Sequence, residues 1–253
     1  MRLKVVVPIR FEDRTIQQKV FDSLIGSVKS VVSPDVELAI ESLEVGTLSI
    51  EGRADLALNQ PGVMAVVVRS QAEGFDGVFV SDMDMCGVEP SRELVDIPVI
   101  GGFAANAFTA SMLGRRIGLI TILDRVVPMQ EDHFRTYGIE KNLACILVAE
   151  ASVGDLIEDP TVAVDRVFDQ CCEAVDRYGA QVIILGCTGF IGIAGAVGRR
   201  LAASGRFVPV LDPNAVAISY LELLVRNGLS QSRAAYHPRS SDFAVDAPTE
   251  ALR

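Results

Sequence analysis

Val182-Ile183-Ile184-Leu185 is an unbroken apolar run, too short for a buried helix and lacking the polar alternation of a half-exposed strand. Such a run is satisfied when both faces of a strand are covered, as in the centre of a parallel sheet. Seven further strand candidates accompany it: Leu3–Val7, Val36–Ser42, Gly77–Ser81, Val99–Ile100, Ile117–Thr121, Ala144–Val148 and Val208–Leu211. Longer amphipathic stretches lie between them, among them Thr15–Val31, Asn59–Glu73, Ala104–Leu113, Pro128–Tyr137 and Val162–Tyr178. Strand and helix patterns in alternation predict βαβ units and parallel sheets, an α/β fold.

The apolar run leads into Gly186-Cys187-Thr188-Gly189. A stretch of the same shape, Gly77-Val78-Phe79-Val80-Ser81-Asp82-Met83-Asp84, stands earlier in the chain, with Asp82 placed 105 residues before Cys187. The flanks match as well. Glu73-Gly74-Phe75-Asp76 parallels Tyr178-Gly179-Ala180-Gln181, and Ile97-Pro98-Val99-Ile100-Gly101 parallels Val208-Pro209-Val210-Leu211-Asp212. Lys4–Pro8 pairs with Arg116–Ile120 as the opening strand of each half. The 253 residues therefore read as two pseudo-symmetric, Rossmann-like halves, 1–100 and 101–211. Residues 212–230 are free to pack back on the first half, and 231–253 read as a polar tail. No Pro-, Gly- or Ser-rich linker separates the halves, so they are expected to share a cleft.

Composition narrows the function. A net charge of −10 disfavours nucleic acid and anionic membranes as partners, since both reward clustered Lys and Arg. No run approaches a membrane span, and the N-terminus starts directly on a strand, so the expectation is a cytoplasmic protein. The five cysteines include no C-x-x-C pair, which points to reduced thiols rather than disulfides or zinc. With only His133 and His237, Ser-His-Asp triads and multi-histidine metal sites are disfavoured. No metal site is expected.

In parallel α/β sheets ligands gather beyond the carboxyl ends of strands, and Cys187 sits at such an end. A helix expected over Phe190–Leu201 would aim its N-terminal amides at the thiol, lower its pKa and favour thiolate. The amides of Thr188 and Gly189 would then stabilise an oxyanion or a substrate carboxylate. The plain alternative is a small buried cysteine.

Leu185-Gly186-Cys187-Thr188-Gly189, the two-half layout, and Asp76–Val80 leading to Arg92-Glu93-Leu94 and Ile97–Gly101 resemble the aspartate/glutamate/hydantoin racemase superfamily, most of all its hydantoin and allantoin branch. The resemblance runs to about residue 230. It implies a cofactor-independent racemase or epimerase with an interdomain cleft, in which one cysteine per half works on opposite faces of an acidic C–H beside a carbonyl. It also implies homo-oligomers, and a small substrate that is anionic or carries a ureido group.

The departures matter as much. The position of the family's first cysteine holds Asp82, and Cys86 follows four residues later. Three readings stay open: Asp82 is the second acid/base, Cys86 swings in from its loop, or Cys187 works alone. The last would make the chain a lyase of the arylmalonate decarboxylase kind or a cis–trans isomerase; a non-catalytic binding protein is a further alternative. The decarboxylase branch supplies a carboxylate-binding hydroxyl at the position of Met83, which methionine cannot provide. In the first loop Pro8-Ile9-Arg10-Phe11 replaces the Asn-Pro-Asn-Thr usual in hydantoin racemases. Arg10 there is either a bidentate grip on a carboxylate or ureido oxygen or a solvated surface residue. Thr121 is its polar counterpart in the second half, or an ordinary strand-end threonine.

Overall fold

The computed structural model describes residues 1–158 and 163–238, and every strand in them falls on one of the expected apolar runs. β1 (Arg2–Arg10), β2 (Glu37–Leu43), β3 (Gly77–Val80) and β4 (Val99–Gly101) form one parallel sheet in the order β2-β1-β3-β4. β5 (Ile117–Thr121), β6 (Leu143–Val148), β7 (Val182–Leu185) and β8 (Val210–Leu211) form a second in the order β6-β5-β7-β8. The two orders are the same order, offset by four strands. The fold is α/β, with two four-stranded parallel sheets and helices on their faces.

Register corrects one detail of the pairing of halves. Leu3 lies opposite Gly77 and Ile117 opposite Val182, so Ile117 corresponds to Leu3, not to Val5. The slip is two residues. Because side chains alternate with period two, a slip of two leaves the inward pattern intact, and the sequence alone could not see it.

The apolar character of β7 has the expected cause. Val182 and Ile184 enter the core shared with the first half, while Ile183 and Leu185 enter a second core with Val167 and Cys171 of α7 (Ala163–Asp176) and Val197 and Leu201 of α8 (Ile193–Ala203). Both faces are covered, and all four residues have no exposure.

The chain then returns. α9 (Pro213–Arg226) starts after β8, where Asp212 caps it by accepting the Asn214 and Ala215 amides at 3.0 Å each. It packs Ala217, Ile218 and Leu221 into the first core, against β3 and α4 (Gly102–Leu113). The segment from Gln231 is not loose at its start: the Gln231 amide donates to the carbonyls of Val95 and Ile97 at 2.7 and 2.9 Å, and Arg92 donates to the Tyr236 hydroxyl at 2.8 Å. The expected tail boundary at 231 therefore falls inside a hydrogen-bonded segment, and residues 239–253 lie outside the described residues. Among the described residues no helix is long and apolar enough to cross a membrane.

Candidate active site

Two turns leave neighbouring ends of the sheets. After β3, Ser81 donates its amide to Val6 O (2.8 Å); after β7, Gly186 donates to Ile120 O (2.7 Å). The next residues are Asp82 and Cys187. Five positions on, Gly87 (φ +65°) and Gly192 (φ +74°) adopt the left-handed conformation that glycine takes without steric cost. They open α3 (Val88–Arg92) and α8. The halves thus repeat strand, ionisable side chain, left-handed glycine and helix at equal spacing.

This geometry corrects the expected helix over Phe190–Leu201. α8 begins at Ile193, and residues 187–192 form a turn closed by Phe190 N to Cys187 O (3.2 Å) and Ile191 N to Gly189 O (2.8 Å). Cys187 therefore does not lie at a helix N-terminus. Its Sγ accepts one amide, from Gly189 at 3.3 Å. Burial wins over that contact and pushes the thiol up to about 12, with the charges of Asp82 and Asp84 adding to the rise. The surroundings therefore oppose the thiolate expected from the sequence instead of favouring it.

Asp82 is 8% exposed and wrapped by its own turn. Its carboxylate accepts the Cys86 amide at 2.8 Å, and the amides of Asp84 and Met83 also face it. Met85, at φ +61°, bends the backbone to bring them round. Burial raises the Asp82 carboxyl above the ordinary range, and the amides limit the rise. Asp84 is raised further, first by burial and then by the charge of Asp82. One of its oxygens has no hydrogen-bond partner and lies 3.8 Å from Nε2 of His133 on α5 (Val127–Thr136).

Asp82 and Cys187 line one cleft together with Ser81, Thr188 and Gly189. The remaining wall is apolar. Val7, Pro8, Ile9 and Phe11 come from the end of β1 and the loop behind it, Val20 and Leu24 from α1 (Arg14–Lys29), and Val153 and Ile157 from α6 (Val153–Glu158). A bond from Lys19 Nζ to Glu158 O (2.6 Å) ties α1 to α6 across the cleft. Among the described residues no lysine or arginine lines it.

The sequence model of the family described as Asp/Glu/hydantoin racemase matches residues 18–221. The chain belongs to that family. A hydantoin racemase from Rhizobium meliloti is 34% identical over 185 residues, covering 73% of this chain and 75% of the relative. The solved allantoin racemase from Pseudomonas fluorescens superposes with a TM-score of 0.85 at 30% identity, covering 96% of this chain and 99% of that one. The allantoin racemase from Klebsiella pneumoniae gives 0.87 at 25% identity, covering 96% of each. Membership places the chain among racemases, enzymes of the isomerase class.

Within the racemase fold the expected site residues separate into two groups. Asp82, Cys187, Thr188, Gly189 and Pro8 meet at the cleft. Cys86, Met83, Arg10 and Thr121 do not. Cys86 is fully buried, its Sγ turned to Leu56 O at 3.6 Å, and burial raises its pKa far above a free thiol's. Met83 is 1% exposed, its sulfur packed beneath Gly102. Arg10 turns outward to Glu12 (3.0 Å) and the Gly46 carbonyl (3.4 Å). Thr121 is buried with an unpartnered hydroxyl. The Thr188 hydroxyl lines the cleft but donates to Ser81 O at 2.9 Å, so it joins the halves. Sequence reasoning missed the apolar wall, because Phe11, Val20, Leu24, Val153 and Ile157 read as ordinary core positions. It also missed Asn214, whose buried amide spans both turns.

Proposed function

We propose that the chain racemises 5-substituted hydantoins or closely related cyclic ureides by proton transfer between Asp82 and Cys187, with no resident cofactor. The observation that carries this reading is that the two side chains end equivalent strands of different sheets and line one cleft. The order of ionisation assigns the roles. The carboxyl, though raised, gives up its proton before a thiol pushed up to about 12, so the resting pair is Asp82 carboxylate and Cys187 thiol. Asp82 takes the α-proton of one enantiomer, leaving an enolate-like carbanion; Cys187 donates its proton to the opposite face. The product is the other enantiomer, with Asp82 protonated and Cys187 a thiolate held by the Gly189 amide. Proton return to the thiolate closes the cycle, and the opposite enantiomer runs the same steps backwards.

The wall supports a neutral ring with an apolar substituent over an anionic substrate. Among the described residues no cation lines the cleft, and Arg10 is engaged elsewhere. A carboxylate would lose hydration there without gaining a partner. The test is ¹H NMR in D₂O with each enantiomer of 5-benzylhydantoin, allantoin and aspartate. Deuterium should enter the α-carbon of the benzylhydantoin with inversion, faster than that of allantoin, and aspartate should not exchange. No incorporation into any hydantoin above the buffer rate would sink the proposal.

A further inference from the structure

The two turns are joined by a ring of side-chain bonds outside the reacting pair. Ser81 Oγ donates to Asn214 Oδ1 at 2.8 Å, and Asn214 Nδ2 donates to the Thr188 carbonyl at 2.8 Å. Thr188 Oγ1 closes the ring on the Ser81 carbonyl at 2.9 Å. Ser81 immediately precedes Asp82, and Thr188 immediately follows Cys187. Asn214 has no exposure, so both ends of its amide are committed in a site that water does not reach.

Asn214 is itself held. Asp212 accepts its backbone amide, and the preceding Pro213 carbonyl accepts Asn106 Nδ2 at 3.0 Å. Its helix is continuous with the second sheet through β8 but packs on the first half. A side chain anchored in this way sees both halves at once.

We infer that Asn214 is a positioning residue that fixes the spacing and orientation of the Asp82 and Cys187 turns across the cleft. The claim rests on the two-base reading for its kinetic consequence, though its structural part stands alone. Inversion needs both groups aligned on one carbon, whereas exchange with retention needs only one of them. Releasing the clamp should therefore cost inversion far more than one-face exchange. It should also loosen the turn that buries Sγ, so the Cys187 thiol ionises and reacts more readily.

Asn214→Asp is the sharper variant, because it keeps size and shape, leaves the Ser81 contact possible, and sets a carboxylate oxygen against the Thr188 carbonyl. Asn214→Leu removes both contacts, and Ser81→Ala removes one with minimal change in volume. Two readouts are taken on each folded variant. The first is the ratio of deuterium exchange with retention to inversion on 5-benzylhydantoin. The second is the rate of Cys187 alkylation by iodoacetamide at pH 8, mapped by peptide mass spectrometry. In Asn214→Asp the ratio should rise at least tenfold and alkylation should quicken at least tenfold, with Ser81→Ala shifted the same way by less. Exchange and inversion falling together, with alkylation unchanged, would overturn the role. If the unaltered protein turns over no hydantoin, the two-base reading fails on its own evidence, and the alkylation rate alone decides whether Asn214 holds the turn.

Discussion

The turn after β3 and the turn after β7 are built on one plan and carry different chemistry. Each places an ionisable side chain two residues past the end of a central strand and a left-handed glycine five residues later. Each bends backbone amides toward that side chain: three toward the Asp82 carboxylate, two toward the Cys187 sulfur. Burial raises both groups, yet they start from different ordinary values, about 3.9 for a carboxyl and about 8.5 for a thiol. Equal architecture therefore yields an unequal pair, the thiol holding its proton more tightly than the carboxyl. The lesson is that pseudo-symmetry fixes where the two groups stand, whereas residue identity and burial decide which one holds its proton more tightly.

The largest expected effects come from breaking either member of the pair. Cys187→Ser and Asp82→Asn should each lower kcat/KM for inversion by about 10³-fold, the scale of a lost general acid or base. The loss must be equal for both enantiomers, because the equilibrium constant is one. The variants should differ in exchange: Asp82→Asn retains measurable deuterium wash-in with retention for the enantiomer whose α-proton faces the thiol. Full inversion activity in either variant would end the two-base scheme.

Restoring symmetry should recover most of the rate. Asp82→Cys is expected within about tenfold of the unaltered protein, since the position rather than the carboxyl defines the second base. Its pH profile should move. In the unaltered protein kcat/KM should rise with pH as the Asp82 carboxyl ionises, above the ordinary carboxylate range. With a thiol at position 82 the rising limb shifts to distinctly higher pH. An unmoved limb would show that Asp82 is not the group being titrated.

A smaller effect tests the companion carboxyl found only in the first turn. Asp84 is buried with an unpartnered oxygen, and its folded pKa is raised well above the ordinary value. A raised carboxyl contributes most to stability below the ordinary carboxylate range and loses that contribution as pH rises through its folded value. Asp84→Asn should therefore stabilise the protein by about 1–2 kcal/mol at pH 7 and by nothing near pH 3.5, measured by denaturant unfolding at both pH values. The smallest effects belong to residues the turns leave out. Cys86→Ser and Arg10→Ala should change kcat/KM by less than about twofold, because neither side chain reaches the cleft. A hundredfold loss in Cys86→Ser with the fold intact would return that thiol to the mechanism.

Much of this was legible before any coordinates. Apolar runs at Gly77–Val80 and Val182–Leu185 must be covered on both faces, which forces central strands, and the matching flanks give the two halves. The same logic placed Asp82 opposite Cys187. It could not separate Asp82 from Cys86, because four residues of loop carry no periodicity. The deciding facts are the left-handed backbone at Met85 and Gly87 and the packing of Sγ against Leu56, which turn Cys86 inward. The start of α8 was misplaced for a related reason: Phe190 and Ile191 look helical until Gly192 is seen at positive φ.

The sequence by itself thus determined the layers, the strand ends and the placing of Cys187 and Asp82 at equivalent ones, since those follow from local pattern and covalent spacing. Tertiary structure alone decided which candidates face the cleft, how strongly each proton is held, and that Asn214, over a hundred residues from Ser81, bridges both turns. Burial and side-chain direction depend on what packs from distant parts of the chain, and no local window contains that information.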